Sequence, residues 1–60
     1  GKLIPVEVKL SSTPRPIMAK GIKTFREDFK DKALPGYLLY TGNVRLPLGQ
    51  GVTALPFAEL

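Results

Sequence analysis

The chain has 60 residues, a formal net charge of +4, and neither cysteine nor histidine. A chain this short buries only about 60% of the surface it exposes when unfolded, so association with a partner is the expected source of extra stability. The two missing residue types exclude disulfides, thiolate and imidazole metal sites, and the Ser-His and Cys-His nucleophile systems, which leaves only a hard cation held by oxygen. No apolar run is long enough to span a bilayer, and Gly1-Lys2-Leu3-Ile4 lacks the pattern of a signal peptide. A chain without cysteine suits the cytoplasm, and the mild positive charge suits a weak attraction to nucleic acid.

In chain order, residues 3–10 are predicted to form a strand. Ile4, Val6, Val8 and Leu10 alternate with Leu3, Pro5, Glu7 and Lys9. This is a period of two, and the β-branched set is expected on the buried side. Pro5 cannot donate a ladder hydrogen bond, which places the strand at a sheet edge. Gly1-Lys2 resembles the end of a turn, so the strand is expected to be the second arm of a hairpin, with an unpaired edge where the first arm is missing.

Ser11-Ser12-Thr13-Pro14 is a helix-entry signal, with Thr13 as cap and Pro14 in the first helical position. The helix is predicted to run to Lys30 or Lys32. Met18, Ile22, Phe25 and Phe29 form its apolar stripe, with Phe25 and Phe29 in the core. Lys23 and Glu27 are spaced to pair at i,i+4, and Gly21 marks close packing against a sheet. Arg15, Lys20, Lys23, Arg26, Lys30 and Lys32 make this region basic; a solvated face is the plainer reading and a nucleic-acid contact the sharper one. Ser11 and Ser12 could meet a phosphate, though turn formation is the simpler role.

Pro35-Gly36 ends the helical segment. Tyr37-Leu38-Leu39-Tyr40 is a continuous apolar run, the mark of a strand covered on both faces, and its tyrosines are expected in the core rather than stacked on bases. Thr41-Gly42-Asn43 and Gly49-Gln50-Gly51 are turns. They flank short strands at Val44–Leu48 and Val52–Pro56, and Phe57–Leu60 begins a further helical turn. The expected fold class is α/β: one small domain over residues 1–60, built as a β-α-β right-handed crossover followed by a short hairpin.

Glu7 and Lys9 are two apart on a strand, so they share a face with Cα atoms roughly 6.5–7 Å apart. A carboxylate there can hold a divalent cation, and an ammonium beside it can stabilise charge growing on a phosphate under attack. Such a site also needs a second carboxylate. Spacing alone favours the plainer reading of two solvated charges on the polar side of a strand.

The stretch Pro5-Val6-Glu7-Val8-Lys9-Leu10 resembles the Glu-x-Lys half of the PD-(D/E)xK nuclease fold. Together with Gly36–Gly42, Leu46-Pro47-Leu48-Gly49 and Gly51–Phe57, it is similar to the C-terminal domain of a family of bacterial and archaeal AAA+-like ATPases. The resemblance implies a truncated restriction-endonuclease-like fold. Glu7 would be the metal-binding carboxylate, Lys9 the catalytic lysine, and the Val8 main-chain carbonyl a further ligand. The metal would be Mg2+ or Mn2+ in the intact domain, with none held tightly by this stretch alone. The aspartate of the family's preceding strand has no counterpart here, because the chain begins after it, and Asp28 and Asp31 lie outside the motif. The chain is therefore read as a fragment that is inactive by itself. Two other readings stand beside it: a non-catalytic interaction or regulatory module of the ATPase, and a basic module that binds nucleic acid. A homodimer through the open edge of strand 3–10 is the expected partner arrangement.

Overall fold

The computed structural model describes residues 1–59. The elements are β1 (Val6–Val8), a 3-10 turn (Pro16–Ala19), α1 (Lys20–Asp28), β2 (Gly36–Tyr40), β3 (Leu46–Gly49), β4 (Val52–Pro56) and a closing 3-10 turn (Phe57–Glu59). The strands form one mixed sheet in the order β1-β2-β4-β3. β2 runs parallel to β1 and to β4, and β3 is antiparallel to β4. This is a small mixed α/β arrangement, with the expected crossover and hairpin in place.

The apolar run at residues 37–40 takes the interior position because it can fill both sides of a sheet. Leu38, Leu39 and Tyr40 are buried, while Tyr37 is 38% exposed. The Tyr40 hydroxyl donates to the Val44 carbonyl and accepts from the Val44 amide at 3.2 Å, so a buried polar group is satisfied and the 41–45 loop is tied down. Leu38 and Tyr40 join Ala19, Ile22, Leu48, Val52 and Ala54 in the core, with Met18 packed against it.

The helix begins later than the sequence pattern suggests. Pro14 does not open it; Arg15 is the extended N-cap and Pro16 the first residue inside. The cause is the second proline. A residue before proline is pushed out of the α region, so Arg15 cannot be helical. Ser11 and Thr13 form a local turn instead: the Thr13 amide donates to Ser11 Oγ at 3.2 Å, and Ser11 Oγ donates to the Thr13 carbonyl at 3.3 Å. The helix also stops at Asp28, short of Lys30. The chain must turn there so that Ala33 and Leu34 can run beside Leu3, where the Leu34 amide donates to the Leu3 carbonyl at 2.7 Å. This leaves Phe29 46% exposed and Phe25 half-buried, their rings 4.8 Å apart. The expectation that both lie in the core is thus corrected. Ala19, at the other end of α1, is fully buried.

The largest correction concerns the first strand. Ile4, Val6, Val8 and Leu10 are not its buried side; they are 56%, 54%, 53% and 89% exposed. Glu7 is in register with Leu38, and Leu38 with Ala54, on the face that carries the core. Alternation divides a strand into two faces but does not say which one the helix will cover. Here the covered face is the one from which Gly36, Leu38 and Tyr40 project. At Gly36 an added Cβ would lie 2.7 Å from Ile22 Cγ2 and 2.8 Å from the Pro5 carbonyl oxygen. Only glycine lets β1, β2 and α1 approach so closely.

The β3–β4 turn is built from three residues with positive φ: Gly49, Gln50 and Gly51. Gly51 faces the Arg26 guanidinium, which donates to the Gln50 carbonyl and so fastens the hairpin to α1. Arg45 and Glu59 pair at 2.7 Å beside the closing turn. Lys23 and Glu27 do not form an ion pair; among the described residues the ion pairs are Lys9–Glu7 and Arg45–Glu59. Leu60 of the expected final turn lies outside the described residues.

Gly36→Ala is expected to cost about 1–3 kcal/mol through overpacking against backbone that cannot yield. Gly1→Ala, with open space around its Cβ, serves as a neutral control. Urea unfolding followed by circular dichroism measures both. Equal midpoints for the two variants would remove this close approach from the account of the fold.

Candidate functional site

β1 carries Glu7 and Lys9 on one face, as their spacing predicts, and that face is the helix side of the sheet, opposite to the expected one. Glu7 Oε1 lies 3.6 Å from Lys9 Nζ, and the two side chains are 35% and 42% exposed. A pair this open and this long contributes less than about 1 kcal/mol. The other oxygen is different. Glu7 Oε2 is buried and has no hydrogen-bond partner. A carboxylate oxygen removed from water without a donor is unfavourable unless a cation or a water completes it.

The surroundings of that oxygen come from α1. The helix passes over β1 at Gly21, where an added Cβ would stand 3.7 Å from Glu7 Oε2. Because Gly21 has no side chain, a cleft of about 350 Å³ remains, lined by Pro5, Val6, Glu7, Gly21, Ile22 and Phe25. Gly21 was legible as a point of close packing. The part played by Phe25, which was assigned to the core, was not. An aromatic ring at the mouth of a cleft and one in a core give the same periodic signal.

The third expected participant is the Val8 carbonyl. The backbone groups of Leu3, Pro5, Lys9 and Ser11 bond toward the 32–41 segment. N–H and C=O directions alternate along a strand, so the groups of Ile4, Val6, Val8 and Leu10 point to the opposite, open edge. Val8 O is therefore in the sheet plane, next to Glu7 in sequence and clear of β2. No group of three or more Asp or Glu residues suited to a metal occurs among the described residues. Asp28 and Asp31 line a separate cleft beyond the end of α1, with Glu27. Among the described residues Glu7 therefore belongs to no such group.

The basic residues of α1 gather elsewhere. Lys20 and Lys23 line one groove of about 470 Å³, and Lys23, Arg26 and Lys30 line an adjoining one of about 420 Å³, with Glu27 and Gln50 common to both. Arg26 is committed to the Gln50 carbonyl, and Glu27 offsets part of the charge. Ser11 is engaged in its own turn, and Tyr37 sits on the open face rather than in the core.

A family model described as a domain of unknown function, DUF4143, matches residues 1–60. The chain belongs to this family. No curated protein and no solved structure matches it. No helix among the described residues of this DUF4143 chain is long and apolar enough to cross a membrane.

If the carboxylate serves a ligand rather than the fold, Glu7→Leu should stabilise the protein. Leucine would fill the cleft beside Ile22 and Phe25 and remove the unpartnered oxygen. A gain of about 0.5–2 kcal/mol is expected, near 4–8 °C in Tm per kcal/mol for a chain this small. Thermal melts test this, and a lower Tm would mean that the carboxylate is structural.

Proposed function

We propose that this chain is part of a restriction-endonuclease-like domain of an ATPase, and that it holds the Glu-x-Lys half of a metal-dependent nuclease site. The observation that carries this reading is Glu7. Its carboxylate is held on a strand beside an ammonium, with one oxygen buried against Gly21 and left without a donor. The parallel β1-α1-β2 unit supports the reading too, since it presents the pair from a rigid strand.

A divalent cation such as Mg2+ or Mn2+ fits the chemistry of the donors, an anionic oxygen and a main-chain carbonyl, both hard ligands. Glu7 and Val8 would hold it, and bound there it would polarise a phosphodiester and lower the pKa of a water. Lys9 would stabilise the negative charge that develops on the phosphate and hold the attacking water by hydrogen bonding. Pro5 and the β1–β2 ladder keep Glu7 and Lys9 on the same face throughout. With one carboxylate the cation is held weakly, so the 60-residue chain alone is expected to bind metal without cutting.

The second reading is a non-catalytic module in which the same face recognises or assembles with a partner. It is favoured by the absence, among the described residues, of a group of three or more carboxylates, because a cation site normally draws on several anionic oxygens.

Manganese titration of the isolated chain, followed by paramagnetic broadening of its amide resonances, separates the two. The nuclease reading expects selective broadening at Glu7, Val8 and Gly21, lost in Glu7→Gln. Broadening confined to Glu27, Asp28 and Asp31 would overturn it. In the native protein that carries residues 1–60, metal-dependent DNA cleavage should fall at least about 100-fold in Glu7→Ala and in Lys9→Ala. Wild-type cleavage by both variants would equally defeat the reading.

A further inference from the structure

The outer flank of α1 carries charges that the fold does not use. Lys20, Lys23 and Glu27 line a groove of about 470 Å³ together with Ile17, Thr24 and Gln50. Gln50 lies in the turn between β3 and β4, and both strands lie on the far side of β2 from β1. The groove is therefore on the flank of α1 opposite to Gly21 and Glu7, and its opening does not depend on what lies beside β1. Lys23 and Glu27 have the spacing of an ion pair but do not form one. Among the described residues neither Lys20 nor Lys23 meets a carboxylate. Arg26 differs, because it is committed to the Gln50 carbonyl. That bond turns the Gln50 main chain toward the helix while its side chain stays exposed. At the N-terminal end of the groove Ile17 is 71% exposed. The groove thus asks for apolar cover at Ile17, anions at Lys20 and Lys23, and a cation at Glu27.

We propose that it takes an extended acidic peptide segment of a partner protein, with an apolar residue, two carboxylates and a cation in that order along one face. Charge complementarity sets the order. Alternate residues of an extended peptide share a face, so four of them in succession span roughly 20 Å. From Ile17 to Glu27 the groove is roughly 15 Å long at the helical rise, and the long lysine side chains make up the difference. The Gln50 side-chain amide offers both a donor and an acceptor to the peptide main chain.

A nucleic-acid strand fits this groove less well. Its backbone carries a negative charge at every residue, so a phosphate falls against Glu27 wherever the strand is placed. It offers little aliphatic surface to Ile17. Among the described residues no aromatic side chain lines the groove, so a base finds no ring on which to stack. A peptide escapes all three difficulties, because its charge and polarity vary from residue to residue. The groove is open to solvent, so the attraction weakens as salt rises. Neither Glu7 nor Lys9 takes part, so peptide binding and the nuclease reading hold or fail separately.

The capped heptapeptide Leu-Ser-Glu-Ser-Glu-Ser-Lys tests the proposal, titrated into the folded 60-residue chain at low salt and followed by amide chemical shifts. Shifts are expected at Ile17, Lys20, Lys23, Thr24 and Gln50, and they should shrink as salt is added. The dissociation constant should rise at least about tenfold when Lys20→Glu and Lys23→Glu are combined. It should recover when both glutamates of the peptide are replaced by lysines. A fold defect cannot produce that recovery, and circular dichroism shows whether each variant is folded. A peptide with serine in place of leucine should bind at least about threefold more weakly. No shift at millimolar peptide, or shifts confined to other surfaces, would overturn the proposal. So would unchanged binding by the doubly reversed chain. A DNA heptamer that shifts the same residues and binds them more tightly would make nucleic acid the occupant and overturn it as well.

Discussion

The structure depends on β2. Gly36–Tyr40 is paired on both edges by parallel strands, and its helix-side residues contribute the floor of the core. A parallel partner cannot be reached by a tight turn, so α1 and its flanking loops have to cross over the sheet to bring β2 beside β1. That crossing puts Ala19 and Ile22 above Leu38 and Ala54. It also needs Gly36, where β1, β2 and α1 come within contact of one another. The hairpin then closes the other side, with Arg26 reaching from α1 to the Gln50 carbonyl at its tip. β1 and β4 are each paired to β2, and β3 to β4.

One nine-residue helix cannot cover four strands on two sides. The consequence is a sheet with a packed face and an open one. On the packed face the small residues Ala19, Gly36 and Ala54 bring layers together. On the open face Val6, Tyr37 and Val8 remain in water, although Leu39 between them is buried by lateral neighbours in the register. A two-layer arrangement of this size loses the hydrophobic stabilisation of its second face, at roughly 25 cal/mol for each Å² left exposed. That loss is large against the few kcal/mol by which small domains are stable. A surface that covers the valines therefore changes the stability of the whole fold, not only of β1.

Much of this architecture was legible in the sequence. The 37–40 run announced an interior strand because its residues are apolar without alternation. The Gly49-Gln50-Gly51 turn announced a hairpin because its two glycines take positive φ without steric cost. The parallel crossover followed from a helical period between two strand periods. Three things were not legible. Helical propensity favours Arg15 inside the helix, and the restraint that Pro16 places on its predecessor overrides it. The apolar stripe places Phe29 in the core only if the helix continues past Asp28, and a stripe is only as long as its helix. The buried side of β1 was read from hydrophobicity. A strand of alternating Val and Glu or Lys is expected to turn its valines inward, and here it does not. The candidate site shared that ambiguity. Its two charges were visible, but nothing in residues 5–10 disclosed that they face a helix rather than solvent.

That inversion is the strongest argument that Glu7 has work beyond the fold. Turning β1 by one residue would bury Val6 and Val8 beneath α1 and send Glu7 and Lys9 into water, which burial and solvation both favour. The register with β2 opposes this, because the alternation of bonds from Leu3 to Ser11 is continuous and the Pro5 position must face a partner that needs no donor from it. The protein thus keeps a carboxylate oxygen without a donor and four exposed apolar side chains at once. In the proposed reading these local choices, each unfavourable for stability, serve one site. Gly21 agrees with them: a larger residue would strengthen the helix by up to about 1 kcal/mol, and it would narrow the cleft beside Glu7. The carboxylate, the glycine that faces it and the valines that flank it form one arrangement, and its sense is that β1 presents two different surfaces, a charged one toward the helix and an apolar one toward whatever covers the sheet.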